Sequence, residues 1–253
     1  MIPATAQPPC PHGVLLVHDR LDYETAWALQ RSLVERRLAD QHPDALLLME
    51  HGPVFTIGRS GKQEHYDETR LTKAGYPVYR IERGGSVTYH GPGQLVGYPI
   101  LRLASFCAGP KAYVGLLEQV LIQTLSEWSI EARRIKTWPG VWVGREVPAK
   151  IAAIGVKIQR GVTMHGFALN VAMDLSPFHL VTPCGIQGCR VTSMADVLGR
   201  PVDLQAVRGR LADRFAARFG LQWTEQIRHP ILPSVTGMPA EPSKVEATNE
   251  RHE

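Results

Sequence analysis

Residues 163–173, TMHGFALNVAM, read as a strand with two unlike faces. Side chains alternate along a strand, so His165, Phe167, Leu169, Val171 and Met173 share one face, and Gly166, Ala168, Asn170 and Ala172 the other. Large groups on one side and small ones on the other mean that something packs closely against the small face. A neighbouring helix would satisfy this, and so would a narrow slot for a ligand chain. Working outward, apolar runs at 45–50, 77–81, 94–101, 140–143 and 151–159 read as further strands, with Gly144-Arg145-Glu146 marking a hairpin between two of them.

Three segments carry helical periodicity. The first opens at the N-cap Asp22 and aligns Tyr23, Trp27, Val34 and Leu38. The second aligns Val114, Leu117, Leu121, Leu125 and Trp128. The third runs from Asp203 through Leu204, Val207, Leu211, Phe215 and Phe219 to a stop at Gly220. Helices and strands mix without a regular βαβα alternation, which predicts an α+β fold rather than a doubly wound sheet. One globular catalytic domain is expected over 13–228, with polar, Pro-rich tails at 1–12 and 229–253.

Composition narrows the function. The 253 residues carry a net charge of +4, with 44% hydrophobic and 21% charged residues, ordinary for a soluble globular chain. No basic run interleaved with aromatics suggests nucleic acid. The opening MIPATAQPPCPHG lacks the basic and apolar regions of a signal peptide, and no stretch approaches a membrane span. Four cysteines without an export signal suit a reducing cytoplasm, which is the expected location. Arg31, Arg36, Arg37, Arg133 and Arg134 are candidates for steering an acidic partner; solvated helix faces are the plainer reading.

Three segments carry candidate chemistry. The first is RGGSVTYHGPGQLVGYP, 83–99, whose five glycines and two prolines predict a loop with its backbone close to something. It lacks both the phosphate-loop and the dinucleotide fingerprints. Arg83, Thr88 and His90 favour a binding loop over a structural turn. The second is Lys150 in PAKIAAIG, on its own a solvated strand end. The third is Cys184 in TPCGIQG, where Pro183 and Gly185 put a thiol on a turn rather than in a core. His179, Cys184 and Cys189 do not have zinc spacing, and no G-x-S-x-G elbow appears, so neither a metal nor a serine hydrolase is expected.

Taken together and in order, RGGSVTYHGPGQLVGYPI at 83–100, AKIAAIGVKIQRGVTMHGFALNV at 149–171, PCGI followed by VTS at 183–193, and EHGPVFTIGRS at 50–60 resemble the lipoyl(octanoyl) transferase family over roughly 20–220. The resemblance implies the α+β catalytic domain shared with biotin and lipoate protein ligases, a mixed sheet partly covered by helices, working without ATP or any other cofactor. It implies Cys184 as nucleophile and Lys150 as the residue that tunes it. Arg83, Gly84, Gly85, Ser86, Val87, Thr88, Tyr89 and His90, with Ala153, Ile154 and Gly155 and with Gly166, Phe167 and Ala168, would line the acyl site. The implied donor is an octanoyl-acyl carrier protein. The implied acceptors are lipoyl domains of 2-oxoacid dehydrogenase complexes and the glycine cleavage H protein. No nucleic acid or membrane partner is implied, and a monomer is the default. Cys189 stays a rival thiol. An ATP-dependent lipoate ligase and a non-catalytic lipoyl-domain binder are the alternatives.

Overall fold

A computed structural model describes residues 12–228. In chain order the elements are β1 (His12–Arg20), α1 (Tyr23–Leu38), β2 (Asp44–Glu50), β3 (Val54–Ile57), α2 (Glu68–Lys73), β4 (Val78–Arg80), β5 (Val87–His90), β6 (Gln94–Ile100), α3 (Pro110–Ser126), β7 (Ala132–Ile135), β8 (Trp138–Val143), β9 (Ala149–Gln159), β10 (Val162–Asn170), β11 (Arg190–Val191), α4 (Met194–Leu198), α5 (Leu204–Phe219) and β12 (Gln222–Arg228). The main sheet runs β12-β1-β2-β6-β10-β9-β8-β7, and β11 adds beside β9; a smaller sheet runs β4-β3-β5. Both sheets mix parallel and antiparallel pairs. This is the expected α+β architecture.

The helices form for local reasons. Asp22 caps α1 by accepting the Thr25 N–H at 2.8 Å, and Asp203 caps α5 through Gln205 N–H at 2.9 Å. Pro110 opens α3, where its missing N–H costs nothing, and Gly220 ends α5 at φ 62°. One face of the main sheet buries Leu46, Leu95, Leu169 and Ile151 against Leu117, Leu121, Leu211 and Phe215 of α3 and α5. The opposite face buries Leu47, Val96, Met164 and Ala168 against Ala26, Leu29 and Leu33 of α1. Truncating one of these fully buried leucines, Leu121 for instance, would cost about 2–5 kcal/mol, the transfer term plus the cavity left behind.

Several expectations need correction. His12, assigned to the leading tail, starts β1; residues 1–11 and 229–253 lie outside the described residues. β1 and β12, absent from the strands expected above, both belong to the main sheet. The stretch 83–99 is not one loop, because Val87–His90 is a buried strand and Gln94–Ile100 is the strand expected over 94–101. The buried stripe of α1 centres on Ala26, Leu29, Gln30 and Leu33, leaving Trp27 and Leu38 half-buried, and Trp128 lies beyond the end of α3. The strand read over 163–173 ends at Asn170, where Val171 and Ala172 turn to share the Gly93 carbonyl. The hairpin at 144–146 stands, since Val143 pairs with Ala149.

Candidate active site

Two distant segments are brought together by a very short strand. Arg190 and Val191 form β11 in parallel register with Ala149 and Lys150, and Thr192 N–H donates to the Lys150 carbonyl at 3.0 Å. This anchors the 183–189 loop over the start of β9. Within it the chain turns tightly: Gly185 N–H bonds the Thr182 carbonyl and Ile186 N–H the Pro183 carbonyl. Cys184 sits at φ 58°, ψ 12°, a left-handed conformation that costs a non-glycine residue roughly 1–2 kcal/mol. The opposite side of the loop is tied down by Thr182 N–H to the His65 carbonyl at 2.7 Å. The His65 ring in turn hydrogen-bonds Ser86 Oγ at 2.8 Å.

The geometry at the thiol is specific. Lys150, only 4% exposed, donates from Nζ to Cys184 Sγ at 2.9 Å and to the Pro139 carbonyl at 3.2 Å. Its ammonium also lies 4.6 Å from the centre of the Trp142 ring. Of the three donor directions, two are thus fixed by protein. Cys184 itself is only partly buried and opens on a narrow cavity of about 50 Å³ between the two sheets.

Of the residues expected at the acyl site, Arg83, Gly85, Ser86, Val87, Thr88, His90, Ala153, Ile154, Gly155, Gly166, Phe167 and Ala168 line that cavity. Two do not. Gly84 turns its N–H to the Val156 carbonyl at 2.9 Å and so pins the loop to β9. Tyr89 points the other way, its ring packed among Phe55, Tyr76 and Phe178. Glycine is required at 155, where a Cβ would come within 2.8 Å of the Gly84 carbonyl and 2.9 Å of the Arg83 Cδ. At 166 the obstacle is backbone: a Cβ would lie 2.2 Å from the Gly97 carbonyl oxygen.

The small face therefore has two neighbours. α1 covers Ala168, the helix alternative, while Gly166 and Ala168 also line the cavity, the slot alternative.

Arg83 is 8% exposed and has neutral partners. It donates to Thr56 O at 2.7 Å, to Thr56 Oγ1 at 2.9 Å and to Gly84 O at 3.0 Å; its Nε has no partner among the described residues. Burial pulls the guanidinium below its ordinary range.

Tyr23, Val96, Tyr98 and His165 line the cavity without having been expected there. Behind them is a buried polar network. His51 donates from Nδ1 to the Leu21 carbonyl at 2.7 Å, so its Nε2 accepts from the Tyr98 hydroxyl at 2.7 Å. His90 donates from Nδ1 to Gln94 Oε1 at 2.7 Å, and Gln94 passes the chain on to Asn170 at 2.9 Å. Both rings are neutral at pH 7: burial pushes His51 down to about 4, and burial with the nearby His51 pushes His90 to about 3.

The rival thiol behaves differently. Cys189 lies on the same loop, and burial pushes it up to about 11, which disfavours the thiolate. Its sulfur contacts the Arg190 carbonyl, whereas Cys184 has the ammonium.

Residues 22–216 match the lipoyl protein ligase A/B catalytic domain. An octanoyltransferase of Xanthomonas campestris pv. campestris (strain B100) is 49% identical over 201 residues, spanning 79% of this chain and 82% of that one. The octanoyltransferase of Geobacter metallireducens is 44% identical over 196 residues, 78% and 88% of the two chains. Among solved structures, the bipartite lipoate protein ligase of Thermoplasma acidophilum superposes with a TM-score of 0.67 at 19% identity, covering 86% of this chain and 88% of that one, a likeness of fold. With its matched motifs folded into one cavity around a lysine-paired thiol, the chain belongs to the lipoyl protein ligase A/B catalytic-domain family and, within it, to the octanoyltransferases.

Proposed function

We propose that this octanoyltransferase, an acyltransferase that modifies lipoyl proteins, works through a Cys184 thioester, taking octanoyl from an acyl carrier protein and passing it to a lysine of a lipoyl domain. The observation that carries this reading is the 2.9 Å contact between Lys150 Nζ and Cys184 Sγ at the mouth of a narrow cavity.

The ammonium favours sulfur in its anionic, nucleophilic form. The thiolate attacks the donor's thioester carbonyl, a new S–C bond forms at Cys184, and the carrier thiolate leaves with a proton from Lys150. One thioester replaces another, so the step is close to isoenergetic. The acceptor amine then attacks the acyl-enzyme. Neutral Lys150 removes the amine proton, the S–C bond breaks, and an amide forms downhill without ATP. An ATP-dependent ligase, by contrast, has no use for a thiol paired to an ammonium.

The acceptors are the lipoyl domains of 2-oxoacid dehydrogenase complexes and the glycine cleavage H protein; the Thermoplasma relative was solved as a system with its E2 lipoyl domain. Residues 12–228 act as one catalytic domain, as a monomer in the cytoplasm. No helix of the described residues is long and apolar enough to cross a membrane.

Intact-mass measurement after incubation with octanoyl carrier protein tests the reading. Wild type gains one octanoyl group that hydroxylamine removes, Cys184→Ala gains none, and Cys189→Ala behaves as wild type. A labile adduct that survives in Cys184→Ala but not in Cys189→Ala would move the nucleophile five residues along.

A further inference from the structure

Glu118 is a buried carboxylate on the wrong side of its helix. It lies in the middle of α3 beside Leu117, Val120 and Leu121, which are fully buried in the core under the main sheet, and is itself only 7% exposed. A carboxylate is rarely kept in such company without partners, because leaving water is costly. Both of its oxygens are engaged. Oε1 accepts the Gly140 N–H at 3.1 Å, and Oε2 stands 3.5 Å from Nε of Arg134 on β7.

The Gly140 N–H meets a side chain because the sheet ladder is broken there. Between β7 and β8 the register passes from Arg133–Trp142 to Ile135–Trp138, and between β8 and β9 it reaches no further than Val141. Pro139 and Gly140 thus have no ladder partner among the described residues, and the peptide group that joins them must bond elsewhere. Only glycine suits the turn, since φ at 140 is 116° and a Cβ would lie 2.6 Å from the Ala152 carbonyl oxygen. The peptide therefore presses close to β9. Its N–H goes to Glu118, and its C=O accepts from Lys150 Nζ at 3.2 Å. Carboxylate, peptide and ammonium form one hydrogen-bonded chain, in which the negative end polarises the peptide and makes its carbonyl a better acceptor for the positive end. The same Nζ reaches Cys184 Sγ at 2.9 Å.

We infer that Glu118 is a positioning residue for the reaction: from α3 it fixes the Pro139–Gly140 peptide, whose carbonyl holds the Lys150 ammonium against Cys184. The inference rests on Lys150 serving a Cys184 thioester, as proposed above. An apolar residue at 118 would pack equally well on α3. It would leave the Gly140 N–H unbonded and the peptide loose, and Lys150 would lose one of its two fixed donor directions.

The test compares Glu118→Gln, which keeps an oxygen for the Gly140 N–H, with Glu118→Met, which fills a similar volume without one. Each is measured as single-turnover transfer from chemically loaded octanoyl-enzyme to a lipoyl domain, in the wild-type and Lys150→Ala backgrounds. With Lys150 present, Glu118→Met should be at least about tenfold slower than wild type and Glu118→Gln within about threefold of it. In Lys150→Ala, Glu118→Met should cost nothing further, because a residue that acts through another has no effect once that one is gone. An equal loss in both backgrounds, as structural damage would give, overturns the proposal. So does wild-type transfer by Glu118→Met.

If Glu118→Met does not fold, Glu118→Gln decides through pH. Lys150 is faced by Cys184 and Cys189 on the loop and by Glu118 on α3, with Arg134 of β7 behind it. Removing the carboxylate's charge disfavours the ammonium, and transfer needs neutral Lys150, so the rising limb of the rate should move to lower pH. Across one peptide group, roughly 8 Å, and at an effective dielectric of about 20, the move is at most about 1.5 units. An unmoved limb overturns the proposal. When wild type forms its hydroxylamine-labile adduct, each of these failures leaves the thioester reading intact; absence of that adduct in wild type overturns both.

Discussion

Replacing Lys150 separates two jobs that the reaction gives to one side chain. At 2.9 Å and an effective dielectric of about 20, the gross attraction between an ammonium and a thiolate is roughly 6 kcal/mol. Cys184 is partly exposed, so water recovers much of this when the ammonium is removed. There is also a ceiling. An unassisted thiol is still a few per cent ionised at neutral pH, so losing the charge can slow a simple thiolate reaction by roughly thirtyfold at most. Alkylation of Cys184 by iodoacetamide at pH 7, followed by intact mass, reads that term alone, and Lys150→Ala should slow it, by no more than that factor. Acyl transfer to a lipoyl domain needs the proton moved as well, worth a further factor on the order of 10²–10⁴. Lys150→Arg keeps the charge but cannot readily release a proton. It should alkylate within severalfold of wild type and transfer at least a hundredfold more slowly. Unchanged alkylation in Lys150→Ala would refute activation by charge. Near-normal transfer in Lys150→Arg would refute the proton-carrying role, with far-UV circular dichroism as the control for folding.

Three further outcomes follow from the geometry. Because His51 and His90 are held neutral with values of about 4 and 3 against about 6.5 in the unfolded chain, their stabilisation is complete above pH 6.5 and is lost as the pH falls toward 4. Melting temperature should therefore drop between pH 7 and pH 5, the decline being shallower in His51→Gln, and a flat profile in wild type would contradict the neutral network. Gly166→Ala sets a methyl 2.2 Å from the Gly97 carbonyl oxygen and should lower stability in urea by about 1–3 kcal/mol; a midpoint equal to wild type would show that the strands can part freely. If basic residues steer an acidic carrier, the second-order rate should fall with salt and fall less steeply in Arg133→Gln, whereas a rate independent of ionic strength would leave these arginines as solvated surface.

Much of the fold was legible because its signals are local. Asp22, Asp203 and Gly220 announce helix ends through their own hydrogen bonds and φ angles, and the structure uses all three. β1 and β12 were missed for a physical reason. β12 alternates weakly, with Glu225 and Gln226 in mid-strand, and is held by its parallel register with β1 rather than by its own pattern. Val87–His90 was hidden by the glycines around it, since its identity as a strand comes from antiparallel pairing with Val54–Ile57. Arg37 shows the limit of counting charges. Offered as a steering residue, it is engaged with Asp44 and Asp40, both at 2.8 Å, and its side chain is 13% exposed.

The site divides along the same line. Cys184 stood out because Pro183 and Gly185 force a turn, and the cavity walls were traced by glycines whose side chains would not fit. Lys150 looked like a solvated strand end, and nothing within ten residues of it says otherwise. What buries it is a two-residue strand from forty positions later, closing against Ala149 and Lys150 and placing the thiol on the ammonium. His165 was misread for the opposite reason. Strict alternation assigns it to the large face with Phe167, yet its backbone sits at φ 57° and it lines the cavity together with Gly166, Phe167 and Ala168. A period-two pattern cannot reveal the one residue at which the period breaks.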